Sequence, residues 1–312
     1  MSQPKGEWAL IDWIRRTAHA DPDRVPIGPG DDMALVTLGG DADCLLTVDA
    51  LLEGTHFDLG RASARQVGYK ALAVSLSDAA AMAALPVCAV AWVALPQGGD
   101  MDLAEDLTRG LWDAAERFEC PMVGGDVTSW SHPLSIGTAL LARKDGVEPV
   151  RRSGARPGDA FLVTGRLGGS ALGHHLNFTP RVREARCLAR AVDLHAMIDL
   201  SDGLSTDLGH VARESGVAAE VHADDVPVSD DARRLAETDR RSPLDHALND
   251  GEDFELLLAV SPDDAERLLA DNPLPGVPLA RIGRAAEGQG VALVHPDGRR
   301  EPLRPSGWEH FR

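Results

Sequence analysis

Trp8, Leu10, Ile11, Ile14 and Ala18 recur at helical spacing, so an amphipathic helix is predicted near the start of the chain. Residues 22–30 are dense in proline and glycine and read as a loop. The runs at 33–38 and 44–48 are short and rich in β-forming residues, which predicts strands. Residues 63–84 carry a long alanine-rich helical pattern. The stretch 79–95 has no charge, but Pro86 divides it and alanine supplies much of it. A buried helix followed by a buried strand at 87–95 therefore fits better than a membrane span. A helix at 103–118 and a strand at 134–142 complete this half. The composition turns polar and glycine-bearing around 144–156, which places a domain boundary there, dividing the chain into 1–148 and 149–312. Beyond it, strands are predicted at 161–164, 197–200 and 254–260, with helices at 204–213 and 263–269. A glycine-rich turn at 165–173 leads into a further helix. Strands and helices alternate in both halves, which predicts two α/β or α+β domains.

With 312 residues the chain is long enough for two cores. Its 49 acidic and 31 basic residues give a formal charge of −18, which would repel nucleic acid and anionic membrane, so neither is expected as a partner. The only lysines are Lys5, Lys70 and Lys144, and none sits in a Gly-Lys-Ser/Thr context, which excludes the usual P-loop. The protein-kinase signatures are missing too. Cys44, Cys88, Cys120 and Cys187 lie far apart, which suits reduced thiols in a cytosol. The first ten residues have no long apolar core of the signal-peptide kind, so a cytoplasmic location is expected.

Five aspartate motifs carry the candidate chemistry: Gly30-Asp31-Asp32, Thr47-Val48-Asp49, Leu76-Ser77-Asp78, Gly124-Gly125-Asp126 and Asp199-Leu200-Ser201-Asp202-Gly203. Each alone reads as a turn or helix-cap aspartate. Together, at the expected ends of strands, they predict a site for several hard cations and a polyphosphate, because gathered carboxylates need neutralising and Mg²⁺ bridges carboxylates to phosphates.

In order, these motifs resemble the thiamine-monophosphate kinases, members of the superfamily that includes aminoimidazole ribonucleotide synthetase. The resemblance also rests on Asp49-Ala50-Leu51-Leu52-Glu53-Gly54-Thr55-His56-Phe57, on the run from Tyr69 through Ser77-Asp78 to Met82, and on Arg152-Ser153-Gly154. Gly251-Glu252-Asp253-Phe254-Glu255 and Gly307-Trp308-Glu309-His310-Phe311 extend it almost end to end. It implies a two-domain aminoimidazole ribonucleotide synthetase-like fold with mixed sheets flanked by helices. It also implies a homodimer joined through the N-terminal domains, and transfer of the ATP γ-phosphoryl group to thiamine monophosphate. Asp32, Thr47, Asp49, Asp78, Asp126, Asp199 and Asp202 would hold several Mg²⁺ ions. Gly125, Asp126, Arg152 and Ser201 would meet ATP, and His56, Glu252 and Trp308 the thiamine phosphate. No dedicated catalytic base is implied.

Read from the residues alone, Ser201 fits a helix N-cap as well as a phosphate donor, Trp308 a buried anchor as well as a stacking ring, and His56 a core histidine. The chain departs from the family pattern at Val48, where a second hydroxyl residue is usual and a weaker Mg²⁺ site is therefore expected, and at Ser75, Ala83, Asp250 and Phe254. The rival readings are another ATP-dependent synthetase of the superfamily and a non-catalytic nucleotide or thiamine-phosphate binder. A selenophosphate synthetase would carry a reactive cysteine near its N-terminus, whereas the first here is Cys44.

Overall fold

The computed structural model describes residues 7–17, 21–39 and 43–307. The first half runs α1 (Glu7–Thr17), β1 (Ala34–Thr37), β2 (Asp43–Leu52), α2 (Ala64–Ala81), β3 (Leu85–Pro96), α3 (Met101–Arg117), β4 (Met122–Trp130) and β5 (Ser135–Arg143). The second continues β6 (Ala160–Thr164), α4 (His174–Asn177), α5 (Val182–Ala191), β7 (Leu194–Asp199), α6 (Leu204–Ser215) and β8 (Ala218–His222). It ends α7 (Asp230–Ala236), α8 (Pro243–Asn249), β9 (Leu256–Val260), α9 (Pro262–Ala270), β10 (Leu279–Ala286), β11 (Gly290–Val294) and β12 (Arg300–Pro302).

Each half builds one mixed sheet. The first has the order β1-β2-β5-β3-β4, antiparallel except where β3 and β4 run parallel. Its two faces differ because side chains alternate along each strand. In β2, Leu45 and Leu51 are buried against helices, while Leu46, Val48 and Leu52 are exposed on the other face. Val90 and Trp92 of β3 lie on that same open face. The second sheet has the order β12-β11-β8-β10-β6-β9-β7, with β8 and β11 parallel.

Helix α2 is the element on which both halves close. Ser63 caps it, with Gln66 completing a capping box. Its alanine-rich sequence has no polar face, so it is buried nearly all round, as a helix between two layers must be. On one side it meets β2 and β5 and on the other β7, α4 and α5. The core is accordingly continuous: Leu72, Leu76 and Ile136 join one cluster with Leu162, Met197 and Leu258. A second cluster lies on the far face of the second sheet, around Ile198, Leu208, Val221 and Ile282. Helix α3 crosses α2 at backbone contact, with Gly68 of α2 against the Leu107 carbonyl and Gly110 of α3 against the Arg65 carbonyl.

The strands and helices anticipated from hydrophobic pattern are present, but two features differ. The acids do not all stand at strand ends: Asp49 is inside β2 and Asp126 inside β4, while Asp78 is on α2, within the helix predicted at 63–84. Strands β4, β8, β10, β11 and β12 and helices α5, α7 and α8 were not legible. Strand β10, Leu-Ala-Arg-Ile-Gly-Arg-Ala-Ala, interrupts its apolar alternation with a glycine and a register shift, so no period-2 signal survives. Among the described residues no helix is long and apolar enough to cross a membrane.

Candidate active site

The last turns of α2 organise the carboxylates. Ser75 and Asp78, three residues apart, share a helix face. Ser75 Oγ donates to Asp49 Oδ2 at 2.6 Å and also contacts Thr138 Oγ1 at 2.8 Å. Ser77 Oγ donates to Asp199 Oδ2 at 2.6 Å, joining α2 to the end of β7. The Thr47 hydroxyl donates to Asp78. Carboxylate oxygens of Asp32, Asp78 and Asp199 thus come within 4.8 Å of one another. Arg152 approaches from the linker, its Nη2 donating to Asp32 Oδ1 at 2.6 Å and its backbone N–H to Asp31 Oδ1 at 2.9 Å.

This concentration of charge is unfavourable as it stands. Burial, then Asp49, Asp199 and Asp32, lift Asp78 well above the usual carboxylate range. Burial and Asp32 push Asp199 up to about 7, against the opposing effect of Ser77 and Arg152. Asp32 and Asp49 are raised too, again chiefly by burial. Asp32 Oδ2 is buried without a hydrogen-bond partner among the described residues. An orphaned carboxylate oxygen facing two further acids matches what a hard, oxygen-seeking cation requires, so the residues fit Mg²⁺.

A pH dependence follows. The folded state retains a proton on Asp199 up to about pH 7, whereas the unfolded chain releases it near the ordinary aspartate value of 3.8. A carboxylate raised in this way favours folding at acidic pH, and that contribution is lost as pH rises from the unfolded value through the folded one. In EDTA, Tm is therefore expected to fall between pH 5 and pH 8, and Mg²⁺ added at pH 8 to restore it. A metal-free Tm that is flat or rising across this interval, measured by scanning calorimetry, would refute the buried, metal-free acid cluster.

The turn after β7 supplies a second group. Asp202, Asp207 and His210 bring ligand-type atoms within 4.8 Å. Asp207 Oδ2 accepts from the backbone N–H of Gly203 at 3.0 Å and of Asp202 at 3.2 Å, ordering the turn. Burial, with Arg152 and Arg213 nearby, pushes His210 down to about 3, so its ring is neutral. Asp207 and His210 were not anticipated, although their three-residue spacing on α6 puts them on one face. Ser201 is not the N-cap of α6; Gly203 holds that position.

These acids border a cavity of about 800 Å³, lined among others by Asp49, His56, Ser201, Asp202, Glu252 and Phe254. His56 is half-buried, its Nδ1 accepting from the Leu52 backbone N–H at 3.0 Å. Glu252 is one-third exposed and paired with the buried Lys70. Burial works against its ionisation, but His175 and Lys70 hold Glu252 below the usual carboxylate range.

The family description AIR synthase related protein, N-terminal domain, matches residues 30–143, and its C-terminal counterpart matches 155–296. The chain is 36% identical to the thiamine-monophosphate kinase of Rhodopirellula baltica, covering 97% of each sequence. With that of Mycobacterium tuberculosis (strain H37Rv) the identity is 34%, over 99% of this chain and 92% of the relative. The chain belongs to the thiamine-monophosphate kinase family. A solved structure described as AaThiL complexed with AMPPCP and TMP superposes with a TM-score of 0.84 at 31% identity, covering 98% of this chain and 97% of that one.

Two positions that the comparison with the family pattern singles out, Asp126 and Val48, are turned away from the cluster. Asp126 is exposed on β4, paired with Trp92, and so faces the open side of the sheet. Gly125, by contrast, lies on the row Asp49–Thr138–Ala91. Three strand spacings separate β2 from β4, about 14 Å, too far for Asp49 and Asp126 of one subunit to share an ion. Val48 is also turned to the open face and is 69% exposed, while Thr47, on the inner face, supplies the hydroxyl that meets Asp78. Val48 also borders the cavity that Asp49 and Asp202 line. Trp308 lies outside the described residues; Gly307, just before it, packs against the Asp202 carbonyl.

Proposed function

We propose that the chain transfers the γ-phosphoryl group of ATP to thiamine monophosphate, giving thiamine diphosphate and ADP. The observation that carries this reading is the convergence of Asp32, Asp78 and Asp199 next to Asp49, which lines one cavity with Asp202, Glu252 and His56. The thiamine-monophosphate kinase relatives, one solved with AMPPCP and TMP, support it. The acceptor is a phosphate monoester, largely dianionic at neutral pH, so no base is required to activate it. The difficulty lies in bringing two phosphate anions together. Mg²⁺, held by Asp32, Asp49, Asp78, Asp199 and Asp202 with Thr47, would screen that repulsion and stabilise charge on the transferring group. Arg152 stays charged despite burial because Asp32 and Asp31 adjoin it, so it fixes Asp32 and adds a positive charge on the phosphate side. Gly125, Asp126 and Ser201 belong to the nucleotide, and His56, Glu252 and Trp308 to the thiamine end.

The open face of the first sheet supports a homodimer: Val48, Val90 and Trp92 leave apolar surface there, and β4 beside them is an exposed edge strand. In such a dimer Asp126 would serve the partner subunit's site. We assign a cytoplasmic location and place the domain boundary at 148/149. Purified protein with ATP and Mg²⁺ should convert thiamine monophosphate to thiamine diphosphate and leave free thiamine unphosphorylated. Phosphorylation of thiamine alone, or release of ADP without thiamine diphosphate, would sink the assignment.

A further inference from the structure

Lys70 is among the largest fully buried side chains of the described residues, with Phe161 and Phe178, and nothing in phosphoryl transfer requires it. Its ammonium has three N–H groups and meets three polar partners on three separate segments. It donates to the His56 carbonyl at 2.8 Å, in the turn after β2. It contacts His175 Nδ1 at 3.0 Å, on α4, and it binds Glu252 Oε1, in the loop before β9. Two of these segments belong to the second half of the chain, whereas Lys70 itself lies on α2.

Glu252 is held under strain. It has φ +54°, between Gly251 at +72° and Phe254 two residues on at +50°. Left-handed backbone at a residue with a long side chain persists only where the surroundings impose it. Here the Glu252 N–H donates to the Ser201 carbonyl at 2.7 Å and the Phe254 N–H to the Leu200 carbonyl at 2.8 Å, lacing the loop to the acidic turn. Phe254 stacks on Phe178 at 4.0 Å between ring centroids. The backbone is thereby fixed, and Lys70 fixes the side chain.

The carboxylate so held stands in a wall between two spaces. The 800 Å³ cavity beside the acids and a neighbouring one of about 570 Å³ share Thr55, His56, Ala171 and Glu252. Lys70 occupies Oε1, and Oε2 lies 3.4 Å from His175 Nδ1. A carboxylate offers more acceptor sites than these two neighbours use. We infer that Lys70 is a positioning residue for the acceptor substrate: it fixes Glu252 as a hydrogen-bond acceptor, in the wall shared by the two cavities, for an N–H-bearing, cationic ligand. This inference rests on the proposed kinase reading, since thiamine monophosphate has both an amino group and a cationic ring. A purely structural ion pair would hold the two halves together without bearing on either substrate in particular.

The test is a double-mutant cycle with steady-state kinetics in both substrates, using wild type, Lys70→Met, Glu252→Gln and Lys70→Met/Glu252→Gln. Each single change is expected to raise the KM for thiamine monophosphate about tenfold, the worth of one hydrogen bond to a charged group, and to leave the KM for ATP within a factor of about two. The double variant should match the singles, because Lys70 acts through Glu252. A double variant weakened about a hundredfold, as independent sites would give, would overturn the inference, as would parallel rises in both KM values. So would a fall in Tm with the KM for thiamine monophosphate unchanged. If Lys70→Met alone does not fold, the double variant carries the test, since removing both charges avoids leaving one buried and unpaired. Its KM for thiamine monophosphate should then equal that of Glu252→Gln, and a further tenfold rise would count against Lys70. A wild type that leaves thiamine monophosphate unphosphorylated counts against the kinase reading itself, a result distinct from each of these.

Discussion

Asp78→Asn is expected to lower kcat about a thousandfold or more while leaving the far-UV spectrum and the native mass unchanged. Asp78 is the carboxylate with the most like-charged neighbours, pressed by Asp49, Asp199 and Asp32 within a buried site. The amide keeps the shape and can still accept the hydrogen bond from Thr47. It removes the formal charge that would balance a bound cation. Support for charge on a transferring phosphoryl group is worth several kcal/mol, about 4 kcal/mol corresponding to a thousandfold. The sign on stability runs the other way: with one repelling carboxylate gone, the metal-free variant should melt higher than wild type at pH 8. A variant with near-normal turnover at saturating Mg²⁺ would remove Asp78 from the metal site.

Gly110→Ala is expected to give the largest loss of stability. A Cβ at this position would overlap the Arg65 carbonyl oxygen and crowd the Tyr69 backbone nitrogen, so α3 would have to lift away from α2. Close-packed interiors do not absorb such a shift locally. Overpacking of this kind costs about 3 kcal/mol, which for a chain of this length lowers Tm by roughly 5 °C. Trp112→Ala, on the exposed side of the same helix, should change Tm by a degree or two at most. Equal melting temperatures for Gly110→Ala and wild type would show that the helices are not in backbone contact.

The legible part of the molecule is the part governed by local pattern. Alternation along β2 and β3 and the alanine-rich period of α2 predicted these elements, and the aspartate motifs pointed to a cation and phosphate site before any geometry was known. The illegible part depends on what packs against what. Ser77 drew notice only as part of the motif Leu76-Ser77-Asp78 and Ser75 only as a departure from the family pattern, yet their hydroxyls hold Asp199 and Asp49. Lys70 reads as a solvated charge on a helix and is fully buried. Asp126 is conspicuous as a motif, but its face of the sheet follows from the pairing of β3 with β4, which only the register supplies. Trp308 was equally conspicuous and lies outside the described residues. Asp207 was hidden by its neighbours: next to Ser201-Asp202-Gly203 it reads as an ordinary first-turn acid of α6, although it folds back to close the turn.

That α2 holds partners in both halves has a consequence for how such a protein can change over generations. Ser77 and Lys70 are inherited with the first half, and the acids they serve, Asp199 and Glu252, with the second. The halves cannot be shuffled as independent cassettes, because a foreign second half would have to present both carboxylates at the same two points along one helix. Drift in either half is therefore constrained by the other, and a substitution on α2 is exposed to selection through the acidic cluster, the Glu252 loop and the core together.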